Sequence, residues 1–319
     1  MILPLVSLVM PFHGECNFLI ETLESLRVQA CNKIEYIFVA DRASESASQQ
    51  VLGFLRDHRG HLLSSPSAGI VAALNHGLSG SQGKYIARLD SDDCVTKLRF
   101  DKQLEAFEND NSLVIVGSDI ETVDAKSNSL GTKKFPRSDP KIREYMKFAN
   151  PFAHPAVMFS KEAAISCGGY MEGFPGAEDY ELWTRLMNFG KGLNLAESLT
   201  KYRIHPQQIT KKYSESSIIV GGFISMRIAG EMPTDQPVME TYDDLQQFSK
   251  SCKINRNQLA IAELVLSRNH DLNFSSRIFL SFHAFFLSPK PCIFFAKLRL
   301  YRLITGFFSN VVNPERRGV

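Results

Sequence analysis

Asp90, Ser91, Asp92 and Asp93 close the run Tyr85-Ile86-Ala87-Arg88-Leu89, so carboxylates crowd the end of an apolar stretch with the look of a buried strand. Repulsion raises the pKa of such groups unless a cation or a set of hydrogen-bond donors shares the site. Hard divalent ions such as Mg2+ or Mn2+ take carboxylate oxygens and commonly share them with phosphates. The chemistry on offer is a metal-diphosphate site, set against the plainer reading of a solvated Asp-Ser turn. A second acidic pair, Glu178-Asp179, opens a helical segment that carries Trp183. It can supply a general base, or it can complement the positive end of a helix dipole.

These residues need a scaffold, and the chain alternates in a way that provides one. Leu5 to Met10, Ile34 to Ala40 and Tyr85 to Leu89 have the pattern of strands, and Phe18 to Gln29, Ala47 to Arg59 and Ile70 to Leu78 that of helices. Such alternation predicts right-handed βαβ crossovers and an α/β fold, a mainly parallel sheet flanked by helices. Ligands of these sheets sit beyond the carboxyl ends of the strands. The residues there are Pro11-Phe12-His13, Asp41-Arg42 and Asp90-Ser91-Asp92-Asp93. Further on, Arg99 to Asn109 and Glu178 to Asn188 are expected as helices, and Leu113 to Gly117 and Ala156 to Phe159 as strands. Leu199 to Ile204 is expected as an edge strand, and Asp124 to Asp139 as polar turns. From about Ser214 the chain reads as mostly helical, dividing it into a domain over 1–213 and a helical region over 214–319.

Composition excludes several partners. With 36 basic against 34 acidic residues the net charge is +2, so no global field argues for nucleic acid. The 6 cysteines are scattered without a Cys-x-x-Cys pair, which fits reduced thiols in the cytosol rather than zinc or disulfides. Ile2 to Met10 lacks a basic leader and runs into Pro11, so it reads as a first strand rather than a signal. No stretch reaches the roughly 18 uninterrupted apolar residues of a spanning helix.

Seven pieces, in order, resemble the family-two inverting glycosyltransferases with their GT-A nucleotide-sugar-binding fold. They are Val6 to Phe12, Gly69 to Gly77, Gly83 to Asp93, Asn150 to Pro155, Gly168-Gly169-Tyr170, Ala177 to Trp183 and Tyr202-Arg203-Ile204-His205. The nearest likeness is to bacterial enzymes that build capsular, exopolysaccharide or lipopolysaccharide sugars. One departure stands out: where the family has paired acids followed by Gly-Ser, this chain has Ala40-Asp41-Arg42-Ala43-Ser44.

The resemblance implies roles. Pro11, Phe12, Asp41, Gly69, Asn75, Arg88, Asp90 and Ser91 line the donor site, with Asp41 accepting a base N–H and a UDP-sugar as donor. Asp92 holds Mn2+ or Mg2+, with His205 near the metal or diphosphate and Asp93 in support. Asp179 takes the acceptor proton. Glu178, His154 and Trp183 serve the acceptor or support the site, and the loop from Gln207 to Lys212 closes over the donor. Outside the resemblance, turn, capping or packing roles stay open for each of these residues. The acceptor is expected to be a saccharide or a lipid-linked saccharide, at the cytosolic face.

The segment from Cys292 to Phe308 is rich in Phe and Leu and sits among Lys290, Lys297, Arg299 and Arg302. It can lie in an anionic membrane interface or pack on the catalytic domain. Competing functions are a nucleotidyltransferase, disfavoured by the absence of a Gly-rich basic loop after the first strand, and a metal phosphohydrolase, which leaves Glu178-Asp179 without a role. A non-catalytic nucleotide-sugar-binding subunit is the remaining alternative.

Overall fold

The computed structural model describes residues 4–206 except 16, 30, 32, 148 and 175, together with 208, 221, 224 and 228. The chain divides into two compact units, Met1–Tyr213 and Ser214–Val319, and the elements below belong to the first. The expected segment 292–308, and all of the loop 207–212 except Gln208, lie outside the described residues. Among the described residues, no helix is long and apolar enough to cross a membrane.

The first half is a set of parallel crossovers. β1 (Val6–Gly14) lies between β2 (Ile34–Ala43) and β4 (Tyr85–Arg88), and β3 (Gly60–Ser64) extends the sheet beyond β2, all parallel. The connecting helices are α1 (Leu19–Arg27), α2 (Glu45–Leu55) and α3 (Ile70–Gly80). Each forms because its apolar residues recur at helical spacing: Leu19, Leu23 and Leu26 are buried on α1, and Ala47, Val51 and Phe54 on α2. Ser44 caps α2 by accepting from the Ala47 N–H at 3.1 Å, which moves its start ahead of Ala47. Gly77 lets α3 press onto β1, since a Cβ there would stand 2.4 Å from a Val9 methyl.

Pro11 is tolerated inside this central strand for a specific reason. The Val9 carbonyl accepts from Leu89, so by alternation Pro11 faces the same side, where β4 has already ended. The missing N–H would have met little there.

After β4 the sheet turns antiparallel. β8 (Met158–Ser160) pairs antiparallel with both β4 and β6 (Leu113–Val123), β9 (Lys191–Arg203) runs parallel to β6, and β5 (Cys94–Val95) closes the edge. The path is β3-β2-β1-β4-β8-β6-β9-β5, with β7 (Ser129–Lys133) on the side of β6. The expected edge strand over Leu199 to Ile204 is therefore the end of a 13-residue interior strand. Its register slips opposite Ser118, Asp119 and Ile120, which breaks the alternation that marks strands. β7 falls within the stretch expected as turns because it is exposed throughout and carries no apolar face. Of the remaining helices, α4 (Arg99–Asn109) and α7 (Glu178–Leu186) match expectation. α5 (Asp139–Met146) and α6 (Lys161–Ser166) are too short to announce themselves.

Where the parallel and antiparallel halves meet, backbone carbonyls are served by a buried arginine. Arg99 is 0% exposed and donates to the carbonyls of Pro155 and Arg88, each at 2.7 Å, and of Val157 at 3.0 Å. Gln103 does the same for Val116 and Ala156 at 2.8 and 3.0 Å. Burial pushes the Arg99 pKa down to about 9 against the pull of Asp93. Arg99→Met should destabilise the fold by about 2–4 kcal/mol, because orphaned carbonyls cost more than the relieved desolvation returns. A lowered urea midpoint at unchanged slope is the expected readout; an unchanged midpoint would mean that water takes over these carbonyls.

Candidate active site

The carboxyl ends of β1, β2 and β4 meet on one edge, and the acidic turn follows β4 directly. The Asp93 N–H bonds the Asp90 carbonyl at 3.3 Å, closing the turn. Asp90, Asp92 and Asp93 each present an oxygen within 4.8 Å of the others. They are not alike. Asp90 meets Arg88 Nη1 at 2.6 Å. Asp92 Oδ2 accepts from His205 Nε2 at 2.8 Å. Asp93 is 0% exposed: one oxygen accepts from the Arg203 N–H at 2.8 Å, and Oδ2 is buried without a partner. Burial and then the neighbouring carboxylates hold both Asp92 and Asp93 above the usual carboxylate range. An all-oxygen cluster with its charges unfavourably close and one buried orphan oxygen fits a hard divalent cation.

Arg88 stands beside this cluster at the end of β4. It is 2% exposed. Its Nε is buried without a partner, and Nη1 touches Asp90 without the alignment of a hydrogen bond. Burial works against the Arg88 charge, but Asp90 and Tyr170 outweigh it. The field of Arg88 also reaches Glu178, Asp179 and His154.

Glu178 and Asp179 are buried at the first turn of α7. Asp179 Oδ2 accepts from Asn150 Nδ2 at 2.7 Å, and Oδ1 from the Tyr180 N–H at 2.7 Å. Burial raises the Asp179 pKa to about 6 despite those bonds. Glu178 rises to about 7 through burial and then the Asp179 charge, and its Oε2 is buried with no partner. Two coupled carboxyls poised near neutrality can take up a proton where an exposed pair could not.

Other expected site residues are placed less directly. Asp41 Oδ2 accepts from the Gly69 N–H at 3.0 Å, so the end of β2 holds the start of α3. Gly69 sits at φ +117°, ψ 154°, a backbone region open to glycine, and a Cβ there would meet nothing within 4 Å. Arg42, standing where the family has glycine, takes φ +50°.

Asn75 holds α3 against the chain at Tyr170. Its Nδ2 donates to the Tyr170 carbonyl at 2.8 Å and its Oδ1 accepts the Tyr170 N–H at 2.9 Å, so the amide is a clip between α3 and Gly169-Tyr170. Phe12 packs in the core and Pro11 is buried, so neither presents an open face at the donor edge. Trp183 is 0% exposed among Phe152, His154 and Phe159, which leaves it support rather than acceptor contact. His154 Nε2 lies 2.9 Å from the Tyr170 hydroxyl, and burial depresses its pKa well below normal, keeping it neutral. The Ser91 carbonyl accepts from Thr22 Oγ1 at 3.0 Å, joining the acidic turn to α1.

Residues the sequence left without a role complete the site. Arg203, Asn150 and Tyr170 all lie inside quoted motifs, so the signal was present without an assigned function. A groove of about 800 Å³ lined by Lys102, Asn109, Asp139 and Lys191 lies elsewhere, between α4, α5 and β9, and contains none of these residues. The chemistry, not the size of an open groove, locates the site.

Solved structures place the architecture. A Staphylococcus aureus TarS fragment in complex with UDP-GlcNAc superposes with a TM-score of 0.60 at 16% identity, over 87% of this chain and 86% of that one. The Pyrobaculum calidifontis mannosyltransferase PcManGT in complex with GDP-Man and Mn2+ superposes with a TM-score of 0.56 at 15% identity, over 97% and 88%. The fold is that of GT-A glycosyltransferases.

Sequence carries the assignment further. Residues 7–168 match the profile of glycosyl transferase family 2, and the chain belongs to that family. It is 31% identical over 215 residues to the O-antigen biosynthesis glycosyltransferase WbnJ of Escherichia coli, covering 66% of this chain and 84% of that protein. It is likewise 31% identical over 196 residues to the amylovoran biosynthesis glycosyltransferase AmsE of Erwinia amylovora, covering 60% and 73%.

Proposed function

We propose that this chain is an inverting, metal-dependent glycosyltransferase that moves a sugar from a nucleoside diphosphate, a UDP-sugar by preference, to a saccharide or lipid-linked saccharide during cell-surface polysaccharide assembly. The observation that carries the reading is the clustering of Asp90, Asp92 and Asp93 oxygens within 4.8 Å of one another, with the buried Arg88 against Asp90. Residues 1–213 form the catalytic domain in this reading, working on the cytosolic side of the membrane.

Arg88 supplies positive charge where the diphosphate and the donor sugar meet. Asp41, at the end of β2, keeps acceptor capacity for a base N–H beyond its bond to Gly69. Asp92, with Asp90, Asp93 and His205 around it, holds Mn2+ or Mg2+, which when bound neutralises charge on the departing diphosphate. Asp179 takes the proton of the acceptor hydroxyl. That oxygen forms its bond to the anomeric carbon as the bond from that carbon to the phosphate oxygen breaks, and the electron pair leaves with the nucleoside diphosphate. One displacement inverts the anomeric centre. Glu178 orients the sugars, and His154 stays neutral beside Tyr170. The O-antigen and amylovoran enzymes among the relatives support a polysaccharide product.

The test is a thermal-shift screen of UDP-GlcNAc, UDP-glucose, UDP-galactose and GDP-mannose with and without Mn2+. A ligand at about 100 times its Kd stabilises by roughly 2.7 kcal/mol. The expected result is Mn2+-dependent protection by at least one UDP-sugar; the reading fails if none of the four protects.

A further inference from the structure

Arg203 is among the largest fully buried side chains, and its contacts converge on the acidic turn. Its backbone N–H holds Asp93 Oδ1 at 2.8 Å, and its Nε donates to the Asp92 carbonyl at 2.9 Å. The far end of the guanidinium is anchored elsewhere: Nη2 donates to Glu21 Oε2 of α1 at 2.7 Å and Nη1 to Ser127 Oγ at 2.9 Å, while Ser127 donates to the other Glu21 oxygen at 2.6 Å. The guanidinium lies 4.5 Å from the centre of the Phe18 ring, and the same ring stands 5.0 Å from that of His205. On α1, Thr22 bonds the Ser91 carbonyl and Ser25 Oγ the Val95 N–H, and just past its end Gln29 bonds the Thr96 carbonyl. These contacts hold the segment after Asp90 at Ser91, Val95 and Thr96.

We propose that Arg203, anchored by Glu21, is a positioning residue that sets the metal-binding geometry of the Asp92-Asp93 turn and the approach of His205 to it. This rests on the metal role given above to Asp92. The geometry explains why one arginine is needed. A fork that reaches Asp92, Ser127 and Glu21 at once fixes the turn against α1 and the β6–β7 hairpin, whereas a lysine gathers its three donors at one point and does not span partners on different sides. The chain spends a buried charge here although Val123 and Leu199 nearby show that the end of β9 can be packed with apolar side chains. Residues that orient metal ligands typically change metal affinity by about 10- to 100-fold when replaced.

The test measures Mn2+ binding by calorimetry, with Mn2+ alone and with UDP present, for the full chain and for Arg203→Lys, Glu21→Gln and Glu24→Gln. Arg203→Lys should weaken Mn2+ binding by about 10-fold and Glu21→Gln by about 3- to 10-fold. Glu24, on the same helix and paired with Arg27 among the described residues, should leave it unchanged. Glu21 is half-exposed, so its variant keeps the fold and decides the matter if Arg203→Lys does not fold. A purely structural role lowers thermal stability but leaves the Mn2+ affinity of the folded protein alone. Unchanged Mn2+ affinity in Glu21→Gln and in any folded Arg203→Lys overturns the proposal while leaving the metal site standing. Absence of Mn2+ binding in the parent chain overturns both.

Discussion

Asp179→Asn is expected to cut glycosyl transfer by about 10²-fold or more while donor affinity holds within a few-fold, the usual signature of a lost general base. The substitution keeps the shape but not the acceptors. Two donors, Asn150 Nδ2 and the Tyr180 N–H, face the two carboxylate oxygens, and an amide can satisfy one of them. A lost hydrogen bond is offset by removing a buried charge, so the fold should survive with a small change in melting temperature. The pH profile gives an independent check. With the Asp179 pKa raised to about 6, the base form is gained as pH rises through that value, so the rate should climb and then level off. The residual activity of Asp179→Asn should lack this acidic limb. Equal losses of donor binding and turnover would move Asp179 from base to ligand contact.

β1, β2, β4 and their helices were legible because those strands are continuous apolar runs and the helices carry buried residues three and four apart, whereas β3, with no fully buried residue, was not expected. Beyond β4, the helices α4 and α7 and the strands near Leu113 and Phe159 were also legible, but the rest was not, and the reasons are local. β9 is polar and slips register, β7 has no buried face, and α6 has six residues. In the site, Asp90, Asp92, Asp93, Glu178 and Asp179 could be named from charge and position alone, since no packing need explains them. What sequence does not carry is which polar atoms are already taken. The resemblance put Asn75 among the donor-site residues, and both its amide atoms serve the Tyr170 backbone, a partner 95 residues away in the chain. Arg203 was quoted in a motif without a role because its partners, Glu21, Asp92 and Ser127, are distant in the chain.

Asp92→Ala should abolish Mn2+-coupled binding of UDP without unfolding the protein. The carboxylate is a ligand in the proposed site, and burial holds its pKa above the usual range, so a metal bound there must displace any proton it carries. Binding in the parent chain should therefore release protons and strengthen as pH rises. Stability without metal should move the opposite way. Burial and the Asp90 charge raise the folded pKa of Asp92, so its protonated form is favoured by folding. The stability it contributes is fully present below the unfolded carboxyl range near pH 4 and is lost as pH climbs through the folded value. Removing the group removes that loss. The variant's melting temperature relative to the parent should accordingly rise as pH climbs above the unfolded carboxyl range in the presence of a chelator, even though its hydrogen bond to His205 is gone at every pH. If the gap instead widens against the variant as pH rises, the crowding at Asp92 is already relieved by the protein itself. Undiminished Mn2+-coupled UDP binding by the variant would take the ligand role from Asp92, and Asp93, with its buried orphan oxygen, would then be the ligand to test.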